Sequence, residues 1–349
     1  MKKILREFIM IGMRVVMEYY IVRFPQKIST FNLYFEILPQ INKFINCSIY
    51  ESKRLFLDWG IVDIVNPLVI PDLLVMGKWI KKVCGKSAVL YIPTKETLLS
   101  YLDNVKFLQY NSDDEIYEVL EEYIGGYLPK KDPNKKTYHI ENNYTEDMIW
   151  NVMGTVQDSF SAIYDKWDNN NSIIVMNMIW NFCVNSTRHG KTDCYVTFQN
   201  LKSIQKFMVS VSDWGTGIYT SMYERACKDE IMNLHFMTPK RLVELKNDKY
   251  KELHAIMEAI FYRSDTPDFG IYDAVSETVK RKGIIRISSN DTRVVITDNF
   301  YNNFVSILHE NKEKYFSEID KAIKDEKNIF VDEGIYMPGV QCELEIGFQ

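Results

Sequence analysis

Histidine and cysteine are sparse in this chain, five and six in 349 residues, and neither is clustered. The cysteines, at 47, 84, 183, 194, 227 and 342, form no CxxC pair and have no histidine at zinc-ligand spacing. That excludes a zinc module and reads as reduced, mostly buried thiols. An excess of basic charge is also missing. Forty-two Lys and Arg stand against 47 Asp and Glu, a formal charge of -5, so broad electrostatic binding to nucleic acid or to an anionic membrane is excluded. In the opening stretch MKKILREFIMIGMRVVMEYY, Arg6, Glu7, Arg14 and Glu18 interrupt every apolar run before it reaches the ~20 residues of a spanning helix. A cytoplasmic protein without membrane association is the expectation. No internal repeat or low-complexity tract is visible.

What remains is ordinary globular composition on a chain too long for one small core, so two domains are expected. The stretch YLPKKDPNKKTYHIENN concentrates Lys, Asn and proline and marks the joint. The boundaries that follow are an N-terminal segment 1–28, a first domain 29–126, a linker 127–144 and a second domain 145–349. In the first domain, RLFLDWGIVDIV (54–65) and SAVLYI (87–92) read as buried strands. Between them IPDLLVMGKWIKKVCG (70–85) has helical spacing and ends at a glycine, and ETLLSYLDNVKFLQY supplies a further helix. Strand, helix, strand, helix predicts a small α/β unit with parallel pairing.

This order resembles the STAS domain of bacterial anti-sigma antagonists over about residues 29 to 110. Asp58 ends the strand, GIVDIVNPLVI forms the loop and PDLLVMGKWIKKVCGK the helix. Where those antagonists carry a phosphorylatable Ser or Thr, this chain reads Asn66, Pro67, Leu68, and no hydroxyl occurs between residues 53 and 86. Phospho-regulation of this part is therefore not expected. An unrelated α/β module used for packing or dimerisation is the alternative.

In the second domain the segment MNMIWNFCVNSTRHG (176–190) carries a line of amides. Asn177, Asn181 and Asn185 are four apart, so on a helix they share one face with Arg188 or His189. Each buried polar group left unpaired costs about 1–3 kcal/mol, so something polar must face that line. DCYVTFQN and QKFMVSVSDWG then alternate as an antiparallel hairpin. VSDWGTGI ends its strand with Asp213 and follows it with Gly215 and Gly217. A carboxylate fixed there can accept a hydrogen bond from an exocyclic amine, while the glycines let backbone approach a flat ring. Trp214 is read as stacking either in the core or over that ring. Helical segments follow over 219–262, a helix through YDAVSETVKRKG, the strands GIIRISSN and TRVVIT, a helical pair over 303–326 and a last strand, VQCELEIGF.

Together these resemble the N box and first glycine box of the GHKL superfamily, the ATP-binding fold of gyrases, chaperones, histidine kinases and mismatch-repair ATPases. The N box of histidine and anti-sigma kinases ends in Asn-Ala-x-x-His-Gly. Here the run is Asn185, Ser186, Thr187, Arg188, His189, Gly190. The resemblance implies a two-layer α/β sandwich of the Bergerat type over residues 145–349, with Asn185 as Mg²⁺ ligand and Asp213 on the adenine. It implies Gly215, Gly217 and Gly270 at the nucleotide, Arg188, His189, Arg263 and Ser264 as phosphate contacts, and ATP with Mg²⁺ as the bound group. The second glycine box departs from the pattern, since DFGIYDAV keeps Gly270 but has Asp268 at the first glycine. Val340 replaces a threonine at the final strand. Asn181 stands where hydrolysing relatives carry a glutamate that activates water, and an amide cannot take up that proton. The expected function is that of a bacterial Mg-ATP-binding signalling protein in which the nucleotide orders a lid over residues 219–268. Its output would go to the N-terminal domain or to a protein partner, a second copy of the chain being one arrangement. Two alternatives stay open: an active ATPase or anti-sigma-like Ser/Thr kinase, and an interaction protein with a vestigial pocket.

Overall fold

The computed structural model describes residues 18–93, 95–120, 135–143, 146–161, 169–201, 206–230, 234–262, 271–305, 308, 311–325 and 328–347. It is a mixed α/β structure built on two main sheets, one parallel and one antiparallel. The parallel sheet has four strands in the order β1 (Tyr19–Arg23), β3 (Arg54–Asp58), β5 (Ala88–Tyr91), β6 (Tyr117–Val119). A two-residue parallel ribbon, β2 (Lys27–Ile28) with β4 (Ile64–Val65), sits apart from it. The connections carry α1 (Leu38–Asn46), reached through a π-helical turn at Leu33–Ile37, then α2 (Ile70–Cys84), α3 (Glu96–Asn104) and α4 (Phe107–Asp114). The 70–85 prediction holds, with Gly85 in the left-handed region at φ 67° closing α2. At its other end, Asn66 accepts from the Leu68 amide at 3.0 Å. Asn66 therefore caps the short 3-10 turn Pro67–Val69 that leads into α2.

Two local expectations change. The run 54–65 is two strands, Arg54–Asp58 and the two-residue Ile64–Val65, parted where Gly60 N–H turns back on the Asp58 carboxylate at 2.9 Å. The segment 96–110 is two helices, because Lys106 sits at φ 58° and breaks the helical path.

The antiparallel sheet has seven strands in the order β12 (Ile329–Val331), β11 (Thr292–Ile296), β10 (Ile284–Asn290), β13 (Met337–Gly347), β9 (Lys206–Asp213), β8 (Cys194–Leu201), β7 (Lys135–Ile140). Within the stretch read as linker, Lys135–Ile140 is thus an edge strand, paired from Lys135↔Gln199 to Ile140↔Cys194. Its period-2 pattern was masked by the lysines around it. Residues 127–134 lie outside the described residues.

Alternation gives the large sheet two unlike faces. Val196, Val209, Val211, Ile287, Cys342 and Leu344 form one core with the helices α5 (Glu146–Ser161), α6 (Asn169–Asn185), α7 (Ile218–Cys227), α8 (Pro239–Glu244), α9 (Lys251–Phe261) and α10 (Ile271–Lys280). Beyond them α11 (Tyr315–Asp325) precedes β12. The opposite face is polar, with Thr197, Ser210 and Glu343 side by side in one row and Tyr195, Ser212 and Gln341 in the next. It is nonetheless buried, because α2 lies across β8 and β9. Antiparallel sheets ordinarily leave such a face to water. Nothing in the sequence announced that the N-terminal helix would cover it. Among the described residues no helix is long and apolar enough to cross a membrane.

Candidate functional site

Helix α6 carries the amide line into a cavity of about 1020 Å³ between the helices and the apolar face of the large sheet. Asn177, Asn181 and Asn185 all line it. Asn181 donates its side-chain N–H to the Asn177 carbonyl at 2.9 Å. One N–H of that amide is spent within the helix, and its second N–H and the carbonyl oxygen of Asn181 are left to offer a ligand or water.

After Asn185 the helix widens into a π turn, Ser186–Gly190, closed by Lys191 in the left-handed region. The Thr187 hydroxyl bonds back to the carbonyls of Cys183 and Val184 at 3.0 and 3.3 Å, which loosens the regular ladder there. The turn brings Arg188, His189 and Gly190 to the cavity wall. Burial lowers the His189 pKa first, and Arg225 and Arg188 lower it further. The ring is therefore neutral at pH 7.

Strand β9 delivers Asp213 to the same cavity, 1% exposed. Its Oδ1 accepts from Gly215 N–H at 2.9 Å and Val340 N–H at 3.1 Å, and its own carbonyl accepts from Gln341 Nε2 at 3.1 Å. Its Oδ2 is buried and has no hydrogen-bond partner. Burial pushes the carboxyl up to about 6, with the Gly215 amide, the Ser186 hydroxyl and the Val340 amide opposing the rise. Ser186 acts there as a neighbouring dipole, because it does not satisfy Oδ2 geometrically.

Two glycines make this floor. A Cβ on Gly215 would stand 2.5 Å from the Gly190 carbonyl oxygen, so the loop after Asp213 can press on the π turn only without a side chain. Gly339 sits at φ 91°, and a Cβ there would meet Asp213 Oδ1 at 2.6 Å. Gly217 opens α7 and lines the cavity. Gly215 does not line it, and its part is to hold the carboxylate.

Helix α7 contributes Ile218, Ser221, Met222 and Arg225, one helical face of the cavity. Among the described residues the Arg225 guanidinium has no ion-pair or hydrogen-bond partner. Its 218, 221, 222, 225 spacing was available in the sequence, yet the long polar region around it drew no attention to one arginine. Trp150 on α5 and Trp180 on α6 also line the cavity, their ring centroids 5.3 Å apart. The described part of the span read as a lid is tied down by two buried carboxylates. Glu252 accepts from Tyr219 N–H, Ser289 and Asn290, while Glu258 accepts from the amides of His235, Phe236 and Met237 at 2.7 to 2.9 Å.

Of the residues singled out in sequence, Asn177, Asn181, Asn185, Arg188, His189, Asp213, Gly217 and Val340 meet in one cavity. Trp214 packs instead against the N-terminal core, with the Lys82 ammonium 4.9 Å from its ring centroid. Arg263, Ser264, Asp268 and Gly270 lie outside the described residues. No group of three or more metal-ligating His, Cys, Asp or Glu occurs among the described residues. No family model, curated protein or solved structure matches the chain.

Proposed function

We propose that the cavity binds Mg-ATP in the manner of the GHKL superfamily, and that the chain is a cytoplasmic nucleotide-dependent regulatory protein. The observation that carries this reading is the buried, unpartnered Oδ2 of Asp213. A fully buried carboxylate oxygen without a donor is an expensive arrangement unless a ligand supplies one, and the exocyclic amine of adenine is such a donor. Cationic groups at the same cavity, Arg188 and Arg225, the latter with no side-chain partner among the described residues, fit a polyphosphate. Asn185 would hold the metal, which would offset the phosphate charge, and by the same resemblance Gly270, Ser264 and Arg263, which lie outside the described residues, are read as further phosphate contacts. An oxygen-ligated Mg²⁺ needs few protein ligands, so one asparagine suits it.

The seven-stranded antiparallel sheet with helices on its apolar face supports the Bergerat-type sandwich, and the parallel sheet around α2 supports the STAS-like module. Asn181 decides between binding and turnover. One of its two amide N–H groups is committed to Asn177 and its carbonyl cannot take up a proton at neutral pH, so it can orient a water but not activate one. The reading is therefore a binder whose output comes from occupancy, passed to the N-terminal module or to a protein partner. An ATPase or Ser/Thr kinase would need a base from elsewhere. Isothermal titration of Mg-ATP into the full chain and into Asp213→Asn tests the proposal. Binding by the wild type, weakened at least about tenfold in the variant, is expected, and a folded wild type that takes up no nucleotide would sink the reading.

A further inference from the structure

The polar face of the large sheet holds a second buried cluster, away from the cavity. Asp72 on α2 and Glu343 on β13 are both fully buried. The Ser212 hydroxyl donates to Asp72 Oδ1. Glu343 Oε1 accepts from Arg293 at 2.6 Å, and Arg293 also bonds the Ser288 hydroxyl at 2.7 Å and lies 4.0 Å from the centroid of the Tyr34 ring. Neither Asp72 Oδ2 nor Glu343 Oε2 has a hydrogen-bond partner. The nearest further cation, Arg286, stands 3.6 Å from Glu343 and is bonded to Glu345 at 2.6 Å.

Glu343 thus has Arg293 on one oxygen and Arg286 3.6 Å from the other, whereas Asp72 has a hydroxyl on one oxygen and no hydrogen-bond partner on the other. The register explains why they meet. Ser212 lies opposite Gln341 and Ser210 opposite Glu343, so an aspartate anchored on Ser212 is one diagonal step from Glu343. We propose that Asp72 carries a proton in the folded chain, held near the Glu343 carboxylate, and that this proton is what seats the N-terminal module on the large sheet. A proton on Asp72 removes the charge that has no cation of its own and leaves Glu343 as the anion against Arg293 and Arg286. Two bare carboxylates would leave one buried anion without a counter-ion, which proteins avoid by protonation.

The groups around Asp72 agree. Burial, then Glu343, push its carboxyl up to about 8, opposed by Ser212 and Arg293. The phenol of Tyr34 is pushed well above its ordinary range by burial and by the same two acids, and the thiol of Cys342, on the far side of β13, is raised by burial, then Asp213, then these two. The seat is thus proton-linked. Its folded-state affinity for the proton exceeds that of the unfolded chain, so its contribution is complete below the ordinary aspartate range and is lost as pH rises toward about 8. Docking takes up one proton at neutral pH and undocking returns it to solvent. No ligand in the cavity enters this inference.

The test uses the full chain. Urea unfolding is followed between pH 5 and 9 in wild type, in Asp72→Asn and in Ser212→Ala, alongside infrared difference spectra of wild type minus Asp72→Asn at pH 7. Asparagine is nearly isosteric and supplies a permanent N–H donor toward Glu343. The wild-type unfolding constant should rise with pH more steeply than that of Asp72→Asn, approaching tenfold per pH unit below about pH 8, and Ser212→Ala should keep the wild-type slope. The spectra should show the C=O stretch of a protonated carboxyl. Parallel pH profiles for wild type and Asp72→Asn, or no protonated carboxyl band, would overturn the assignment.

Discussion

The Tyr34 hydroxyl donates to Oε1 of Gln341 at 3.2 Å, joining two residues 307 positions apart. The Nε2 of the same amide donates to the Asp213 carbonyl at 3.1 Å. One side chain thereby connects the N-terminal module to the floor of the cavity. Tyr34→Phe leaves Gln341 Oε1 buried with one partner fewer, and a loss of about 1–3 kcal/mol in urea unfolding is expected. An unchanged midpoint would mean that water replaces the phenol.

Gly339→Ala strikes the floor directly. The methyl group would stand 2.3 Å from the Asp213 carbonyl oxygen and 2.6 Å from its Oδ1, at a backbone angle of φ 91°. Strain of about 1–3 kcal/mol and loss of the Val340 amide from the carboxylate are expected, visible as lowered stability together with weakened nucleotide binding. Binding at wild-type affinity would show that the Val340 contact is dispensable.

Arg225→Gln separates phosphate recognition from base recognition. A charge-assisted contact is worth roughly 1.5–3 kcal/mol, about ten- to a hundredfold in affinity. Titrations should show that loss for ATP and almost none for adenosine. Equal losses for both ligands would place Arg225 away from the phosphates.

Nucleotide affinity should also follow the ionisation of Asp213. Burial raises its carboxyl to about 6 in the free protein, so the acceptor form prevails above that pH and the protonated form below it. Binding is expected to be flat above pH 7 and to weaken toward tenfold per unit below about pH 6, with Asp213→Asn losing this dependence. A wild-type profile flat to pH 5 would contradict the assignment of Asp213 as acceptor.

The distant N-terminal contact at Gly77 is a control. A Cβ there would meet the Ile116 side chain at 2.3 Å, where α2 crosses the start of β6. Gly77→Ala should destabilise by about 1–3 kcal/mol through overpacking while leaving ATP affinity of the folded protein unchanged.

Local order was legible in the sequence where one pattern dominated. The helix 70–84 announced itself by spacing and a terminal glycine, the β8–β9 hairpin by alternation, and the Asn and Asp residues of the cavity by their placement on a helix face and at a strand end. Long-range partners were not legible. The edge strand at 135–140 hid among lysines, and Arg225 hid in a helix too polar to mark a face. Gly339 went unremarked because its importance lies in contact with Asp213, 126 positions earlier, which only the folded sheet brings about. Polar residues such as Ser210, Ser212 and Glu343 alternate with apolar ones along their strands, a pattern that marks two faces but does not say what covers the polar one. Their burial depends on α2, whose Asp72 is the one acid on an otherwise apolar stretch from Ile70 to Met76.

The central claim is that Asp213 Oδ2 receives the exocyclic amine of a bound adenine. Its most direct test is titration of the full chain with Mg-ATP and with Mg-inosine triphosphate, which lacks that amine. A site built around a buried acceptor should prefer ATP by about a hundredfold or more, and Asp213→Asn should erase the preference. Equal affinity for the two nucleotides, or no binding of either, would contradict the account.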